Sequence, residues 1–254
     1  MNTAADPVGV FDSGVGGIST LKEAVRLLPA EHFIYFGDTA NAPYGTKSTD
    51  EVMKCVRKVV NRLLAENIKA LMIACNTATS VAAATLRNEL TIPVIGIEPA
   101  LKPASLVRKE GNILVMATPV TLALPKFRNL MAQYGDGAIP VPCPGLMELV
   151  EKREPESCRA YLEKLFERYD PEKTDAVVLG CTHYVFLRKM LEKMLPSRIT
   201  ITDGNEGTAR QLQRVLDRSG LEKKEGRGSV RFMTSGTAEQ TDIMRDFFSK
   251  ELFL

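Results

Sequence analysis

Short runs of apolar residues alternate with amphipathic segments along nearly the whole chain. Most of the apolar runs are continuous, which is the pattern of strands that are covered on both faces. The predicted strands are Val8–Asp12, Phe33–Gly37, Ala70–Ala74, Val94–Ile97, Ile113–Met116, Ala176–Gly180, Ile199–Thr202 and Val230–Thr234. The predicted helices between them include Val52–Leu64, Ser157–Tyr169, Phe186–Leu195 and Thr208–Leu216. Repeated alternation of strand and helix predicts an α/β fold with parallel sheets.

One strand and the residues that follow it occur twice in similar form. Residues 70–78 read ALMIACNTA and residues 176–184 read AVVLGCTHY, so each copy places a cysteine after a short apolar run. The repetition suggests two sheets related by duplication, with a crossover near Glu98-Pro99. The terminal block Ser229–Leu254 has the pattern strand, turn, helix, and from the residues alone it fits either sheet.

Composition and charge exclude several classes of protein. The 254 residues are 44% hydrophobic and 25% charged, as in ordinary globular proteins, and 33 Lys and Arg nearly balance 31 Asp and Glu. That balance gives no reason to expect a nucleic-acid or membrane partner. Five cysteines in a chain of this size, without a basic leader segment, predict reduced thiols and a cytoplasmic protein.

Polar residues follow several of the predicted strands, where open α/β sheets bind their ligands. Residues 12–17 read DSGVGG, which is either a close strand-to-helix turn or a cradle of backbone N–H groups for a carboxylate; the glycines alone favour the turn. Residues 37–47 read GDTANAPYGTK, a long connection that fits a binding loop and a solvent loop equally well.

The repeated cysteines are the strongest candidates for chemistry. A thiol between a strand end and a helix N-terminus gains thiolate character from the helix dipole, so Cys75 and Cys181 are interpreted as functional. His183 stands two residues after the second thiol and is able to exchange protons near neutral pH. The other cysteines, 55, 143 and 158, are interpreted as structural, and His32 as a surface or edge residue. No CxxC or HxxxH spacing indicates a metal site.

The chain resembles the glutamate racemases in a series of motifs that occur in family order and span most of its length. These are residues 10–17 (VFDSGVGG), 37–39 (GDT), 43–47 (PYGTK), 74–78 (ACNTA), 96–100 (GIEPA), 117–121 (ATPVT), 149–151 (LVE) and 180–184 (GCTHY). The family usually has Asp after Thr234-Ser235-Gly236, where this chain has Thr237.

The resemblance implies two similar Rossmann-like or flavodoxin-like domains with the active site in the cleft between them. The first domain would comprise residues 1–97 plus 211–254 and carry Cys75, and the second would comprise 98–210 and carry Cys181. The two cysteines would be acid/base thiols, and no cofactor or metal would be needed. Asp12 would assist Cys75, while His183 and Glu151 would assist Cys181. The residues that would hold the substrate are Asp12, Ser13, Tyr44, Gly45, Asn76, Thr77, Thr118, Thr121, Thr182 and His183.

Within this superfamily the resemblance favours glutamate as the substrate, because relatives that act on aspartate usually have Glu at the position of His183. The leading hypothesis is interconversion of L- and D-glutamate by a homodimer that supplies D-glutamate for peptidoglycan. Two alternatives stay open: a superfamily member that acts on aspartate or a hydantoin, and a two-lobed binding protein without catalysis.

Overall fold

A computed structural model describes residues 2–250 and contains two parallel β-sheets, which confirms the predicted α/β class. The strands are β1 Val8–Asp12, β2 His32–Gly37, β3 Ala70–Ile73, β4 Val94–Gly96, β5 Asn112–Ala117, β6 Ala138–Pro142, β7 Thr174–Leu179, β8 Thr200–Asp203 and β9 Ser229–Thr234. The helices are α1 Ile18–Leu27, α2 Thr49–Leu64, α3 Asn76–Glu89, α4 Leu101–Val107, α5 Pro119–Ala123, α6 Pro125–Tyr134, α7 Leu146–Glu151, α8 Pro155–Phe166, α9 Arg188–Met194, α10 Asn205–Arg218 and α11 Ala238–Ser249. None of the helices in residues 2–250 is both long enough and apolar enough to cross a bilayer.

The described residues divide into two compact units, and the first comprises 2–98 together with 205–250. Its five strands lie in the order β4-β3-β1-β2-β9, with every neighbouring pair parallel. Helices α2 and α3 pack on one face in a cluster that includes Phe11, Phe36 and Ile73, and α1 packs against α10 and α11. The inner strands are therefore buried on both faces, which is why they are continuously apolar.

The C-terminal segment completes the sheet of the first unit. Strand β9 pairs with β2 from Ser229 to Thr234, and α10 packs along α1, where the buried Thr20 hydroxyl donates to Asn205 Oδ1 at 2.7 Å. The chain returns to this unit between residues 204 and 205, whereas the resemblance placed the return at 210/211. The last four residues of the range predicted for this domain, 251–254, lie outside the described residues.

The second unit, residues 99–204 of the described chain, has the strand order β6-β5-β7-β8, and all pairs are parallel. Strand β6 is not among the predicted strands, because Pro140 and Pro142 are poor strand residues. A sheet edge tolerates them, since ladder hydrogen bonds are needed on one side only. The helix predicted at Phe186–Leu195 is present as α9, Arg188–Met194, and a 3₁₀ segment, Thr182–Leu187, precedes it.

Candidate active site

The candidate residues fall into two groups, one in each unit, and each group lies where parallel strands end. The first unit holds Asp12, Ser13, Tyr44, Gly45, Cys75, Asn76 and Thr77, and the second holds Thr118, Thr121, Glu151, Cys181, Thr182 and His183. In both units the cysteine follows an inner strand of the sheet, β3 or β7. The carboxyl ends of such strands are the usual ligand-binding edge of an open α/β sheet.

Cys75 is buried and occupies the N-cap position of α3, a helix of 14 residues. Its Sγ accepts a hydrogen bond from the backbone N–H of Ala78 at 3.5 Å, as a capping side chain does. The Ser13 Oγ lies 3.8 Å from the same sulfur. The helix dipole and the backbone donor both favour the thiolate form, so this position suits a thiol that must release and regain a proton.

Asp12 and Ser13 stand in the glycine-rich turn between β1 and α1. The buried Asp12 carboxylate accepts from the backbone N–H of Gly14 at 2.8 Å. Gly17 is needed for space, because a Cβ there would lie 2.7 Å from Asp12 Cβ and 3.0 Å from the carbonyl oxygen of Ala74. The turn is therefore close-packed against the strand end that precedes Cys75, and the same packing places Ser13 beside the thiol.

Two buried side chains, Asp38 and Tyr44, anchor the loop after β2, while Ala40 and Thr46 on the same loop are exposed. Tyr44 is fully buried and its hydroxyl donates to Asp38 Oδ2 at 2.5 Å, while Asn41 Nδ2 donates to Asp38 Oδ1 at 2.9 Å. Burial, and then the hydrogen bond to Asp38, raises the pKa of Tyr44 far above its usual range, so the phenol stays protonated. Asp38 is not among the predicted site residues, although a carboxylate at a strand end near a tyrosine is a signal that the sequence contains.

Asn76 contributes a buried acceptor beside the first thiol. Among the described residues, its Oδ1 is the one buried side-chain nitrogen or oxygen atom without a hydrogen-bond partner. A buried carbonyl oxygen left unpaired costs about 1–3 kcal/mol, so a ligand that carries N–H groups would recover that energy. An ammonium group of an amino acid has this chemistry.

Cys181 has a different set of partners. It is buried and precedes the short 3₁₀ segment Thr182–Leu187, so it lacks the long helix that follows Cys75. His183 Nδ1 lies 3.8 Å from Cys181 Sγ, and His183 Nε2 lies 2.9 Å from Glu151 Oε1. Glu151 is the last residue of α7, which brings it to the histidine from another part of the unit.

The protonation of His183 follows from this chain of contacts. Burial alone would lower the pKa of His183, but the hydrogen bonds with Cys181 and Glu151 outweigh it and hold the pKa well above the ordinary value of 6.5. The side chain is therefore a cation at neutral pH, with one N–H directed at the sulfur and the other at the carboxylate. The second thiol thus has an imidazolium beside it, whereas the first has a helix N-terminus.

Two further groups of hydroxyl side chains lie just beyond strands of the second unit's sheet. Thr118, the N-cap of α5, donates from its hydroxyl to Thr121 Oγ1 at 2.9 Å, and both side chains are buried. The Tyr184 hydroxyl donates to the carbonyl oxygen of Cys143 at 3.0 Å, which ties the segment after Cys181 to the end of β6. Hydroxyl groups at strand ends are suitable donors for a carboxylate.

The remaining cysteines have structural surroundings. Burial raises the pKa of Cys143 to about 12 and that of Cys158 to about 11, and it also raises the pKa of Cys55. These thiols stay protonated at neutral pH and are poor nucleophiles. Within residues 2–250, no three His, Cys, Asp or Glu side chains are grouped so that they could hold a metal ion.

Comparison with known proteins gives a consistent result. The family model Asp/Glu/Hydantoin racemase matches residues 9–212. A glutamate racemase of Clostridium botulinum is 48% identical over 249 residues, which is 96% of each chain. The crystal structure of the Thermus thermophilus glutamate racemase aligns with a TM-score of 0.82 at 33% identity, over 98% of this chain and 95% of that one. The Escherichia coli glutamate racemase, whose structure contains L-glutamate and an activator, aligns with a TM-score of 0.83 at 28% identity, over 95% of each chain.

Proposed function

The chain belongs to the Asp/Glu/hydantoin racemase family, and we propose that it inverts glutamate by a two-thiol transfer of protons. It is an amino-acid racemase, and its relatives act on glutamate. The observation that carries the proposal is the placement of Cys75 and Cys181 after an inner strand of each sheet, each buried beside a different donor: the Ala78 N–H at Cys75 and His183 at Cys181.

Racemisation replaces the α-proton on one face of the carbon by a proton on the other face. In one direction the Cys75 thiolate would take the α-proton and become a thiol, and the Cys181 thiol would give its proton to the opposite face and become a thiolate. The reverse reaction exchanges these roles, so the protonation states are restored after one turnover in each direction. General acid and base groups of this kind contribute roughly 10²- to 10⁴-fold to rates.

The neighbouring groups support this assignment on each side. Ser13 and the Ala78 N–H lie at the Cys75 sulfur, and we propose that Asp12 assists this thiol. His183, held by Glu151, would deliver and accept protons at Cys181. The unpartnered Asn76 Oδ1 would accept from the substrate ammonium. The donors for its carboxylates would come from the Gly45 backbone and from the hydroxyl-bearing residues Ser13, Thr77, Thr118, Thr121 and Thr182. Tyr44, whose hydroxyl proton is bonded to Asp38, would act by fixing the loop that carries Gly45.

The decisive experiment follows exchange and inversion separately. Purified protein is incubated with each enantiomer of glutamate in D₂O, and NMR measures deuterium at the α-carbon while circular dichroism measures inversion. Both signals should appear with wild-type protein and fall by at least about 100-fold in Cys75→Ser and in Cys181→Ser. Cys55→Ser, which changes a partly buried thiol outside the proposed site, is the matched control.

Several outcomes would overturn the proposal. Full two-way inversion by either cysteine variant would exclude the two-thiol mechanism. Faster turnover of aspartate or a hydantoin than of glutamate would change the substrate, and no exchange under reducing conditions would indicate a binding protein.

The cellular role is a further part of the proposal. We propose a cytoplasmic homodimer that supplies D-glutamate for peptidoglycan. Depletion in the source organism should then cause a requirement for D-glutamate in the medium, and sedimentation should give twice the 28.0 kDa chain mass.

A further inference from the structure

Tyr35, in the centre of β2, is fully buried and has no part in the chemistry proposed above. Its hydroxyl donates to the carbonyl oxygen of Gly14 at 2.8 Å. A buried tyrosine hydroxyl normally has a partner, so the bond alone indicates only stability. Its acceptor, however, belongs to the turn that carries Asp12 and Ser13.

The Gly14 carbonyl is enclosed by two residues of the same strand. A Cβ built on Gly37 would lie 2.8 Å from the Gly14 oxygen, so Gly37 packs closely against the oxygen that Tyr35 binds. Because a peptide group is planar, fixing this oxygen also fixes the orientation of the peptide that follows Gly14. The other side of Gly14 is fixed as well, since its N–H donates to Asp12 Oδ1 at 2.8 Å.

These contacts connect Tyr35 to the first thiol through two consecutive residues, Gly14 and Ser13. Gly14 binds Tyr35 through its oxygen and Asp12 through its nitrogen, and its neighbour Ser13 lies 3.8 Å from Cys75 Sγ. We infer that Tyr35 is a positioning residue, whose hydroxyl keeps Asp12 and Ser13 in place beside Cys75. The inference rests on the proposed function only for its effect on turnover, because the state of the thiol is measurable without turnover.

The variant Tyr35→Phe removes one oxygen atom and leaves the ring in place. A thiolate accepts hydrogen bonds only, so a displaced Ser13 hydroxyl would stabilise it less. The measurement is alkylation by iodoacetamide across a range of pH, with each cysteine quantified by mass spectrometry. We expect the midpoint of the pH profile for Cys75 alkylation to move to higher pH. We also expect kcat for glutamate to fall by about 3- to 10-fold, which corresponds to the loss of about one neutral hydrogen bond.

Cys181 is an internal control, because it and its partner His183 belong to the other unit. Two variants serve as further controls. Tyr134→Phe removes the same atom from a tyrosine in α6, and it should leave both thiols and kcat unchanged. Phe232→Leu loosens packing around Tyr35, whose ring centroid lies 6.0 Å from that of Phe232, but keeps the hydroxyl. It should lower thermal stability and leave the Cys75 midpoint in place.

Gly37→Ala is a second variant that acts from the strand: its methyl group would lie 2.8 Å from the carbonyl oxygen that Tyr35 binds and closer still to Met244 Cε, and of these the end of the flexible Met244 side chain is the one that can move aside. It should shift the Cys75 midpoint in the same selective way, and it tests the inference if Tyr35→Phe does not fold. Unchanged alkylation of Cys75 in a folded Tyr35→Phe protein, or equal shifts at Cys75 and Cys181, would overturn the inference. Absence of racemisation by wild-type protein would instead overturn the proposed function and leave the alkylation result valid.

Discussion

Replacing Glu151 by Gln tests the charge pair that holds the second thiol's histidine. The substitution keeps the shape of the side chain and an oxygen that can accept from His183 Nε2, now 2.9 Å from Glu151 Oε1. It removes only the negative charge. Because that charge helps to raise the pKa of His183, we expect the pKa of His183 to be lower in Glu151→Gln than in the wild type.

The expected loss of stability depends on how deeply the two side chains are buried. The side chain of His183 is 1% exposed and that of Glu151 is 28% exposed, so solvent screens the pair only in part. A hydrogen bond between charged groups contributes about 1.5–3 kcal/mol, and the partial exposure of Glu151 places this one near 1.5 kcal/mol. For a chain of this size, such a loss lowers Tm by about 3–6 °C.

The effect depends on pH in a direction that the structure determines. The pKa of His183 is raised on folding, so the stability it contributes is fully present below the unfolded value of about 6.5 and is lost as pH rises through the raised pKa. The difference in Tm between wild type and Glu151→Gln should therefore be largest at about pH 6 and should shrink at about pH 9.

The assay is simple because the chain has only two histidines. NMR of labelled imidazole groups follows both titrations, and His32 serves as an internal reference. Glu148→Gln, one turn earlier on α7, removes the same charge from the same helix and is the matched control. An unchanged His183 titration in Glu151→Gln, or an equal change in Glu148→Gln, would refute the reasoning.

Three other predictions concern the framework of the first unit. Lys69→Met should lower the free energy of unfolding, measured in urea, by about 3–5 kcal/mol, because it leaves the buried Glu31 without the ammonium now 2.6 Å away. The double variant Lys69→Met with Glu31→Leu should recover most of this stability. A loss below about 1 kcal/mol in Lys69→Met would contradict the prediction. Gly17→Ala should lower the free energy of unfolding by about 1–3 kcal/mol, because the added methyl group crowds Asp12 and Ala74. Gly207→Ala places its methyl group in open space, so it should be neutral or stabilising by up to about 1 kcal/mol. Equal effects of the two variants would be inconsistent with this packing. Thr39→Val should raise KM for glutamate more than it lowers kcat, because the Thr39 hydroxyl joins the loop that carries Tyr44 to Thr234 and Gln240, each at 2.7 Å. Thr39→Ser keeps the hydroxyl and should retain wild-type kinetics. A Ser variant as impaired as the Val variant would contradict a role for the hydroxyl.

Much of the fold could be predicted because the burial of a strand determines which residues occur along that strand. Strands β1, β3 and β7 lie inside their sheets, and each appears in the sequence as a continuous apolar run. Strand β6 was missed because an edge strand needs neither that composition nor both sets of hydrogen bonds. The departure at Thr237 lies at the N-cap of α11, where the Thr237 backbone N–H donates to Gln240 Oε1 at 2.9 Å.

The candidate site could be predicted only in part. Cys75 and Cys181 stand out in the sequence because of the repeated segment, and their acid/base roles stay predictions. Neither residue spacing nor periodicity indicates that Glu151 binds His183, which is 32 positions away, or that Tyr35 binds Gly14. Such contacts are set by how strands and helices pack, and one strand's pattern contains no information about its partners.

The sequence by itself determined the α/β class and placed a cysteine after one strand in each half of the chain. Both follow from interactions within a few residues: burial of one strand, and the turn that follows it. Only the tertiary structure decided that β9 completes the first sheet and which polar groups surround each thiol. Parallel strands pair across long stretches of chain, so the ends of β3 and β7 acquire their chemical surroundings only when distant segments pack together. The similar segments around the two thiols therefore end in unlike sites, a helix N-terminus at Cys75 and an imidazolium at Cys181.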